Sequence, residues 1–178
     1  MSKLLQVSTG WVYSADKGVV ALDNDKRIQT LMDIIADTDK KLLVFVPFKH
    51  ALKGISDALG TEDIEHAVVS GDTSANDRAQ IFNLFQNTEK FKVLAAHPQC
   101  LAHGITLTKA TTIVWFAPVM DLEIFEQANR RIRRVGQKSK QQLIMLQSTP
   151  VEKRIYAMLQ RKQKVQSQLL SLFEEASE

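Results

Sequence analysis

Cysteine and long apolar runs are scarce in this sequence, and both shortages narrow the class of protein. The 178 residues include 1 Cys, so no disulfide can form within the chain. A chain of this length buries roughly two-thirds of its unfolded surface, enough for a core without disulfides or a structural metal. No apolar run reaches the roughly 18 residues of a membrane span, and the N-terminus lacks a secretion signal. We therefore expect one soluble domain, neither secreted nor inserted in a membrane.

Several common phosphate-binding and catalytic motifs are also missing. No segment matches G-x-x-x-x-G-K-[ST] or G-x-G-x-x-G, so the chain has no nucleotide cradle of either kind. G-x-S-x-G and H-E-x-x-H are absent too. His97, Cys100 and His103 are evenly spaced, but a fourth ligand is missing and Pro98 interrupts the segment. We interpret this segment as a loop and predict no metal site.

Short runs that are apolar throughout alternate with amphipathic segments along most of the chain. The apolar runs predict strands near 42–46, 64–69, 91–95, 113–116 and 143–146. The amphipathic segments predict helices near 25–37, 49–59, 75–86, 121–134 and 150–174. Strands buried on both faces and separated by helices indicate a parallel sheet, hence an α/β fold with three α/β/α layers. Ligands of such sheets bind at the carboxyl ends of the strands.

Basic residues are concentrated near the end of the predicted helix at 121–134, although the net charge of the chain is only +3. Arg131 and Arg134 are three residues apart, which on a helix places them on one side. Charge alone allows two interpretations of this segment. One is a solvated helix end whose cations complement the helix dipole. The other is an anion site, because the planar fork of arginine binds phosphate oxygens bidentately.

The order of residues in this basic segment favours the anion site. Residues 127–137 read QANRRIRRVGQ, which resembles the Q-A-x-G-R-x-x-R-x-G-Q signature of the second motor lobe in Swi/Snf-like ATPases of helicase superfamily two. The chain is most similar to the phage and bacterial forms. The resemblance implies that Arg131 and Arg134 face ATP bound to the other lobe, with Arg134 the better candidate arginine finger. It places Gln127 and Arg130 at the ATP or interlobe surface, where Arg130 replaces the family's glycine.

A second part of the resemblance lies just upstream. Residues 103–108 read HGITLT, which resembles the family's G-x-G-L-N-L motif with Ala102 and Thr106 in place of its first glycine and its asparagine. The resemblance implies that His103 and Thr106 lie on the DNA side, where the hydroxyl of Thr106 contacts a phosphate. It implies that Gly104 allows a close backbone approach at the ATP side. The alternative for Gly104 is an ordinary turn glycine.

The first half of the chain carries the remaining similarity. The strand and loop that end at Phe48 and Lys49 resemble the element that opens the second lobe, and residues 70–85 resemble its G-x-[ST]…R…F element. The resemblance implies DNA contacts by Phe48 and Lys49. It implies further DNA contacts by Ser70, Gly71 and Thr73. The alternative is structural, because Ser74 and Asp77 have the spacing of a helix capping box.

The resemblance suggests three parts for the chain. We expect an entry hairpin at 1–24, a RecA-like helicase C-terminal lobe at 25–150, and a C-terminal helix at 151–178. Apolar residues at helical spacing predict that this last helix packs on the lobe and exposes its basic face. The alternative is a brace that contacts DNA or the first lobe.

The resemblance implies the C-terminal lobe of an ATP-dependent DNA helicase or translocase. Its N-terminal motor lobe, in the same polypeptide or a separate chain, would bind ATP and Mg²⁺, because this sequence lacks the nucleotide-binding lysine and the acidic metal-binding motif. The second partner is DNA, expected to be double-stranded, with Lys138 and Lys140 extending the phosphate track. The expected location is the cytoplasm of a bacterium or phage-infected host, or the nucleus of a eukaryote. The alternative is a noncatalytic module that binds nucleic acid or protein.

Overall fold

A computed structural model describes residues 2–16, 18–101, 106–132 and 140–175. The chain begins with helix α1 (Ser2–Thr9) and a hairpin of strands β1 (Trp11–Tyr13) and β2 (Val19–Ala21). The central strands are β3 (Lys41–Phe45), β4 (His66–Val69), β5 (Val93–Ala96), β6 (Ala110–Trp115) and β7 (Gln142–Met145). The other helices are α2 (Asp25–Ala36), α3 (Lys49–Thr61), α4 (Ala75–Asn87), α5 (Leu122–Asn129) and α6 (Pro150–Glu175), with a 3-10 helix at Pro98–Leu101.

The central sheet has 5 parallel strands in the order β4-β5-β3-β6-β7. Strand β3 lies in the middle, where Leu43 pairs with Leu94 of β5 and Ile113 of β6. It is buried along its whole length, which explains why its sequence does not alternate. Helices α2 and α3 cover one face of the sheet, and α4, α5 and α6 cover the other. The predicted three-layer α/β/α fold is confirmed.

Two helices begin at side chains that bind their first amides. Ser74 precedes α4, and its hydroxyl accepts a hydrogen bond from the amide of Asp77 at 3.1 Å. Asp121 precedes α5, and one carboxylate oxygen accepts from the amides of Glu123 at 2.8 Å and Ile124 at 3.2 Å. Such caps satisfy amides that have no partner within the helix. The capping spacing noted around residue 74 therefore fixes the start of α4.

The N-terminal segment contains the predicted hairpin and also a helix that was not predicted. Gly10 ends α1 with φ at 85°, a left-handed conformation that glycine adopts without strain. The hairpin is antiparallel, with Val12 opposite Val20. Helix α1 has a weak apolar pattern because Leu4 and Val7 are exposed, and only Leu5 enters the core.

Helix α5 ends at Asn129, five residues before the end predicted from the sequence, and residues 130–132 form a turn. The buried side chain of Asn129 accepts a hydrogen bond from the indole of Trp115 at 2.9 Å. The carbonyl of Arg131 accepts from the amide of Leu107 at 3.0 Å, so it is paired outside any helix. These tertiary contacts override the helical periodicity. Arg131 lies in this turn, so the prediction that Arg131 and Arg134 share one side of a helix is wrong at Arg131, and Arg134 lies outside the described residues.

A buried ion pair joins both ends of the chain to the sheet. Arg27 of α2 donates to a carboxylate oxygen of Glu152 of α6 at 2.7 Å, and the two side chains are 7% and 0% exposed. The same guanidinium donates to carbonyls of Ser8 at 2.6 Å, Phe116 at 3.0 Å and Leu146 at 3.1 Å. Arg27 thus fastens α1 and α6 beside the carboxyl ends of β6 and β7. Within the described ranges, none of the helices has the length and apolar character of a membrane span.

Candidate functional site

The loops after β3, β4 and β5 border a cavity of about 480 Å³ at the carboxyl edge of the sheet. Three of its lining residues are sequence-predicted DNA contacts, Phe48, Lys49 and Gly71. Arg78 and His97 also line it, and neither was among the predicted site residues. We call this cavity the carboxyl-edge groove. It lies where parallel sheets usually bind ligands.

An ion pair lies beside Gly71 in this groove. Lys49 is the first residue of α3, and its ammonium nitrogen is 2.6 Å from a carboxylate oxygen of Asp72. The hydrogen bond to Asp72 raises the pKa of Lys49 above its ordinary value. The Lys49 and Asp72 side chains are 52% and 74% exposed, so both remain accessible to a ligand.

The turn between β4 and α4 is built by its own hydroxyl groups. The hydroxyl of Thr73 accepts from the amide of Ser70 at 3.0 Å, and the hydroxyl of Ser70 accepts from the amide of Asp72 at 3.2 Å. Ser70 and Thr73 therefore have a structural role in this turn, in addition to the capping of α4 by Ser74. A DNA contact by Ser70 or Thr73 remains a prediction, compatible with it because a hydroxyl that accepts one bond still carries a donor.

Arg78 is the main residue of the groove that was not assigned a role from sequence. One terminal nitrogen of its guanidinium donates to the carbonyl of Thr73 at 3.2 Å. Its Nε is buried and, within the described part of the chain, has no hydrogen-bond partner. The sequence signal for Arg78 is its place as the arginine of the G-x-[ST]…R…F element.

Two histidines, the buried His50 and the half-buried His97, line the groove together with Phe48. Burial lowers the pKa of His97, although its Nε2 donates to the carbonyl of Pro47 at 3.2 Å. Burial likewise lowers the pKa of His50, whose ring stacks on Phe48 at 5.7 Å between centroids. The edge contact of His50 with Tyr13, at 4.5 Å between centroids, attaches the hairpin to α3. His97 and Cys100 belong to the segment interpreted as a loop, and the described residues contain no group of three or more potential metal ligands.

A second cluster surrounds the turn after α5. Arg131 donates from its Nε to the carbonyl of Gln127 at 3.0 Å, and the side chain of Gln127 donates to Glu123 at 2.8 Å. Burial, and next the charge of Arg130, lowers the pKa of Arg131. Arginine nevertheless stays charged at neutral pH. Arg130 pairs with Glu126 at 3.4 Å, and its own side chain is 71% exposed.

The remaining predicted site residues divide into two groups. Thr106 and Lys140 lie within the described ranges, and Thr106 directly precedes the residue whose amide bonds to Arg131. Lys140 is exposed. The others, Gly104, His103, Arg134 and Lys138, lie outside the described residues.

Comparison with known proteins gives a consistent set of matches. The family described as "Helicase conserved C-terminal domain" matches residues 26–136. The chain is 28% identical over 142 residues to the SWI/SNF-related matrix-associated actin-dependent regulator of chromatin subfamily A-like protein 1 of Xenopus tropicalis, covering 79% of this chain and 15% of that protein. It is 26% identical over 153 residues to an "uncharacterized ATP-dependent helicase" of Mycoplasma pneumoniae, covering 84% of this chain and 15% of that protein. The chain thus spans about 15% of the length of these curated relatives.

Two solved structures have the same fold. The C-terminal part of the Fun30 ATPase domain matches with a TM-score of 0.68 at 24% identity, over 78% of this chain and 48% of that one. The C-terminal domain of the DEAD-box protein Dbp5 matches with a TM-score of 0.67 at 19% identity, over 79% of each chain. At these identities the likeness concerns the fold alone.

Proposed function

The chain belongs to the helicase conserved C-terminal domain family, as a Swi/Snf-like C-terminal lobe, and from this premise we propose that it is the second motor lobe of an ATP-dependent double-stranded DNA translocase. The first motor lobe, in the same polypeptide or a separate chain, would be its partner. We place the protein in the cytoplasm of a bacterium or phage-infected host, or in a eukaryotic nucleus.

The observation that carries this proposal is the hydrogen bond between the two family motifs. The amide of Leu107, directly after Thr106, donates to the carbonyl of Arg131 at 3.0 Å. The motif near Thr106 and the arginine motif are therefore adjacent in space. This is the arrangement expected if both motifs contribute residues that approach one nucleotide at the interlobe surface.

Arg131 has the chemistry that a phosphate contact needs. Its Nε bond to the carbonyl of Gln127 orients the guanidinium plane, and arginine binds oxyanions bidentately. Magnesium-bound ATP on the first lobe would supply the phosphoryl group that is transferred to water. In our proposal Arg131 and Arg134 stabilise the charge that develops on that group. Gln127, Arg130 and Gly104 would lie around them at the interlobe surface.

The carboxyl-edge groove is the proposed DNA track. Lys49 and Arg78 carry positive charge there, and the hydroxyls of Ser70 and Thr73, which accept bonds within the turn, each still carry a donor. Such groups contact phosphates without reading the base sequence. His103, Thr106, Lys138 and Lys140 would continue the track, and closure of the two lobes would couple ATP hydrolysis to stepping.

The test measures DNA-stimulated ATP turnover in protein that carries both lobes. Arg134→Ala should lower the turnover rate by about a thousandfold or more, as removal of an arginine finger does. Arg131→Ala should have a similar or somewhat milder effect. DNA affinity should change little in both variants, because a finger acts on transition-state charge.

The matched control is Arg154→Ala, which removes an exposed arginine from α6 and should leave turnover unchanged. If Arg131→Ala and Arg134→Ala both kept full turnover, the arginine assignment would be wrong. If the first lobe alone were fully active, this chain would instead be a noncatalytic module.

A further inference from the structure

Helix α3 begins at the groove with a positive side chain and without an acid of its own. Its N-cap residue is Phe48, which offers no side-chain hydrogen bond, and its first turn contains no acidic residue. A helix N-terminus carries partial positive charge, so Lys49 at its first position adds charge of the same sign. Asp72, from the turn after β4, supplies the compensating anion at 2.6 Å from the Lys49 ammonium.

The turn after β4 holds Asp72 in this position. The amide of Asp72 donates to the hydroxyl of Ser70 at 3.2 Å, and the amide of Thr73 donates to the carbonyl of Ser70 at 3.1 Å. Arg78 of α4 braces the same turn through the carbonyl of Thr73 at 3.2 Å. The carboxylate is therefore presented to Lys49 by an ordered turn.

We propose that Asp72 determines the DNA affinity of this lobe by competing with the DNA phosphate for Lys49. The inference rests on the proposed function, in which Lys49 contacts DNA. A carboxylate and a phosphate are both oxyanions that accept charge-assisted hydrogen bonds from an ammonium group. The ammonium of Lys49 has three N–H donors but only one positive charge, so its pairing with Asp72 lowers its attraction for a phosphate and the two anions compete for that charge.

The exposure of the pair makes this competition reversible. Ion pairs between groups as exposed as Lys49 and Asp72 contribute little to stability, so a phosphate can replace the carboxylate at low cost. Asp72 therefore weakens DNA binding without preventing it. A lobe that moves along DNA has to release each phosphate, and a resident carboxylate at Lys49 favours that release.

The experiment measures binding of a short mixed-sequence DNA duplex to the chain, by fluorescence anisotropy, as salt is raised from a low concentration. Asp72→Asn keeps the size of the side chain and removes its charge. It should tighten binding by up to about fivefold, the scale of one exposed ion pair. The plot of log affinity against log salt should also steepen by about one unit, because Lys49 then contributes a full counterion exchange.

A double-mutant cycle separates competition from simple charge repulsion. Lys49→Ala should weaken binding, and Asp72→Asn should bring almost no gain in the Lys49→Ala background. The matched control is Asp57→Asn, which breaks another exposed pair of α3, with Lys53 at 3.3 Å, and should leave binding unchanged.

Three other results of these binding measurements would each contradict a specific part of the proposal. An equal gain from Asp72→Asn with and without Lys49 would mean general repulsion and would overturn the competition. No gain from Asp72→Asn, with weaker binding by Lys49→Ala, would overturn the role of Asp72 and leave the DNA track intact. No duplex binding by the chain or any variant at low salt would remove the DNA track and this inference together. Thermal unfolding of each variant verifies that it is folded.

Discussion

At the scale of single residues, Glu152 should contribute more to stability than any exposed ion pair. Its fully buried carboxylate accepts hydrogen bonds from Arg27 at 2.7 Å and from the amides of Ser148 at 2.9 Å and Thr149 at 3.1 Å. Glu152→Gln removes the charge and leaves the Arg27 guanidinium buried without it. We expect a loss of about 3–5 kcal/mol in the free energy of unfolding, measured by urea denaturation.

The pH dependence of this loss identifies the ionised carboxylate as its cause. Burial by itself would raise the pKa of Glu152, but hydrogen bonding and charge from Arg27 lower it below its ordinary value of 4.5. A carboxyl group whose pKa is lower in the folded protein stabilises the fold fully above pH 4.5 and loses that contribution as pH falls through its folded pKa. The difference between wild type and Glu152→Gln should therefore be constant near neutral pH and shrink in acid. The control Glu62→Gln, at an exposed site, should change stability by less than about 0.5 kcal/mol at any pH.

The sequence identified the groove through short motifs, but not the pairings within it. Lys49 and Gly71 were expected at one DNA site, and both line the groove. The Lys49–Asp72 pair and the buried Nε of Arg78 depend on the relative placement of separate loops. Local sequence patterns do not encode such distances, so these features required the structure.

At the scale of elements, β3, β5 and β6 were predictable because burial on both faces makes them largely apolar. The end of α5 was not, since Asn129 is held by Trp115, and the carbonyl of Arg131 by the Leu107 amide. Helix α1 was missed because it is short and two of its apolar residues, Leu4 and Val7, are exposed. The hydrophobic pattern thus predicted the elements whose residues are buried in a regular pattern. It did not predict the end of α5, which depends on hydrogen bonds to residues distant in sequence.

The attachment of the hairpin to α3 depends on a glycine. A Cβ atom at Gly54 would lie 2.2 Å from Cζ2 of the Trp11 indole, so the ring occupies the space of a side chain. Gly54→Ala should push Trp11 away and cost about 1–3 kcal/mol of unfolding free energy, the usual range for overpacking. The change in Trp11 fluorescence, isolated in a Trp115→Phe background, reports the displacement.

Gly60 provides the matched control on the same helix. A Cβ atom there meets nothing within 4 Å, and alanine has the higher helix propensity. Gly60→Ala should therefore stabilise the protein by up to about 1 kcal/mol. Equal effects of the two substitutions would show that the contact with Trp11 contributes nothing to the packing of the hairpin.

At the scale of the whole molecule, the fold gathers residues of separate loops at one edge of the sheet. Parallel strands end at the same edge, so Lys49 after β3, Gly71 after β4 and His97 after β5 line one groove. The turn at 130–132 is joined to the β5–β6 connection by the hydrogen bond from the amide of Leu107 to the carbonyl of Arg131. In the proposed function, the groove is the surface that contacts DNA, and the turn that contains Arg131 is the surface that faces the first motor lobe.

We therefore predict that the isolated chain folds but does not hydrolyse ATP. Its sequence lacks the phosphate-binding G-x-x-x-x-G-K-[ST] motif, and arginines stabilise a transferred phosphoryl group only where another surface holds the nucleotide and magnesium. Adding the purified first lobe should produce DNA-stimulated turnover that depends on both components, measured as phosphate release. The Arg134→Ala chain should restore little of that turnover, whereas the Arg154→Ala chain should restore it fully. Magnesium-dependent turnover by this chain alone, at a rate that added first lobe does not change, would contradict the division of the site between two lobes.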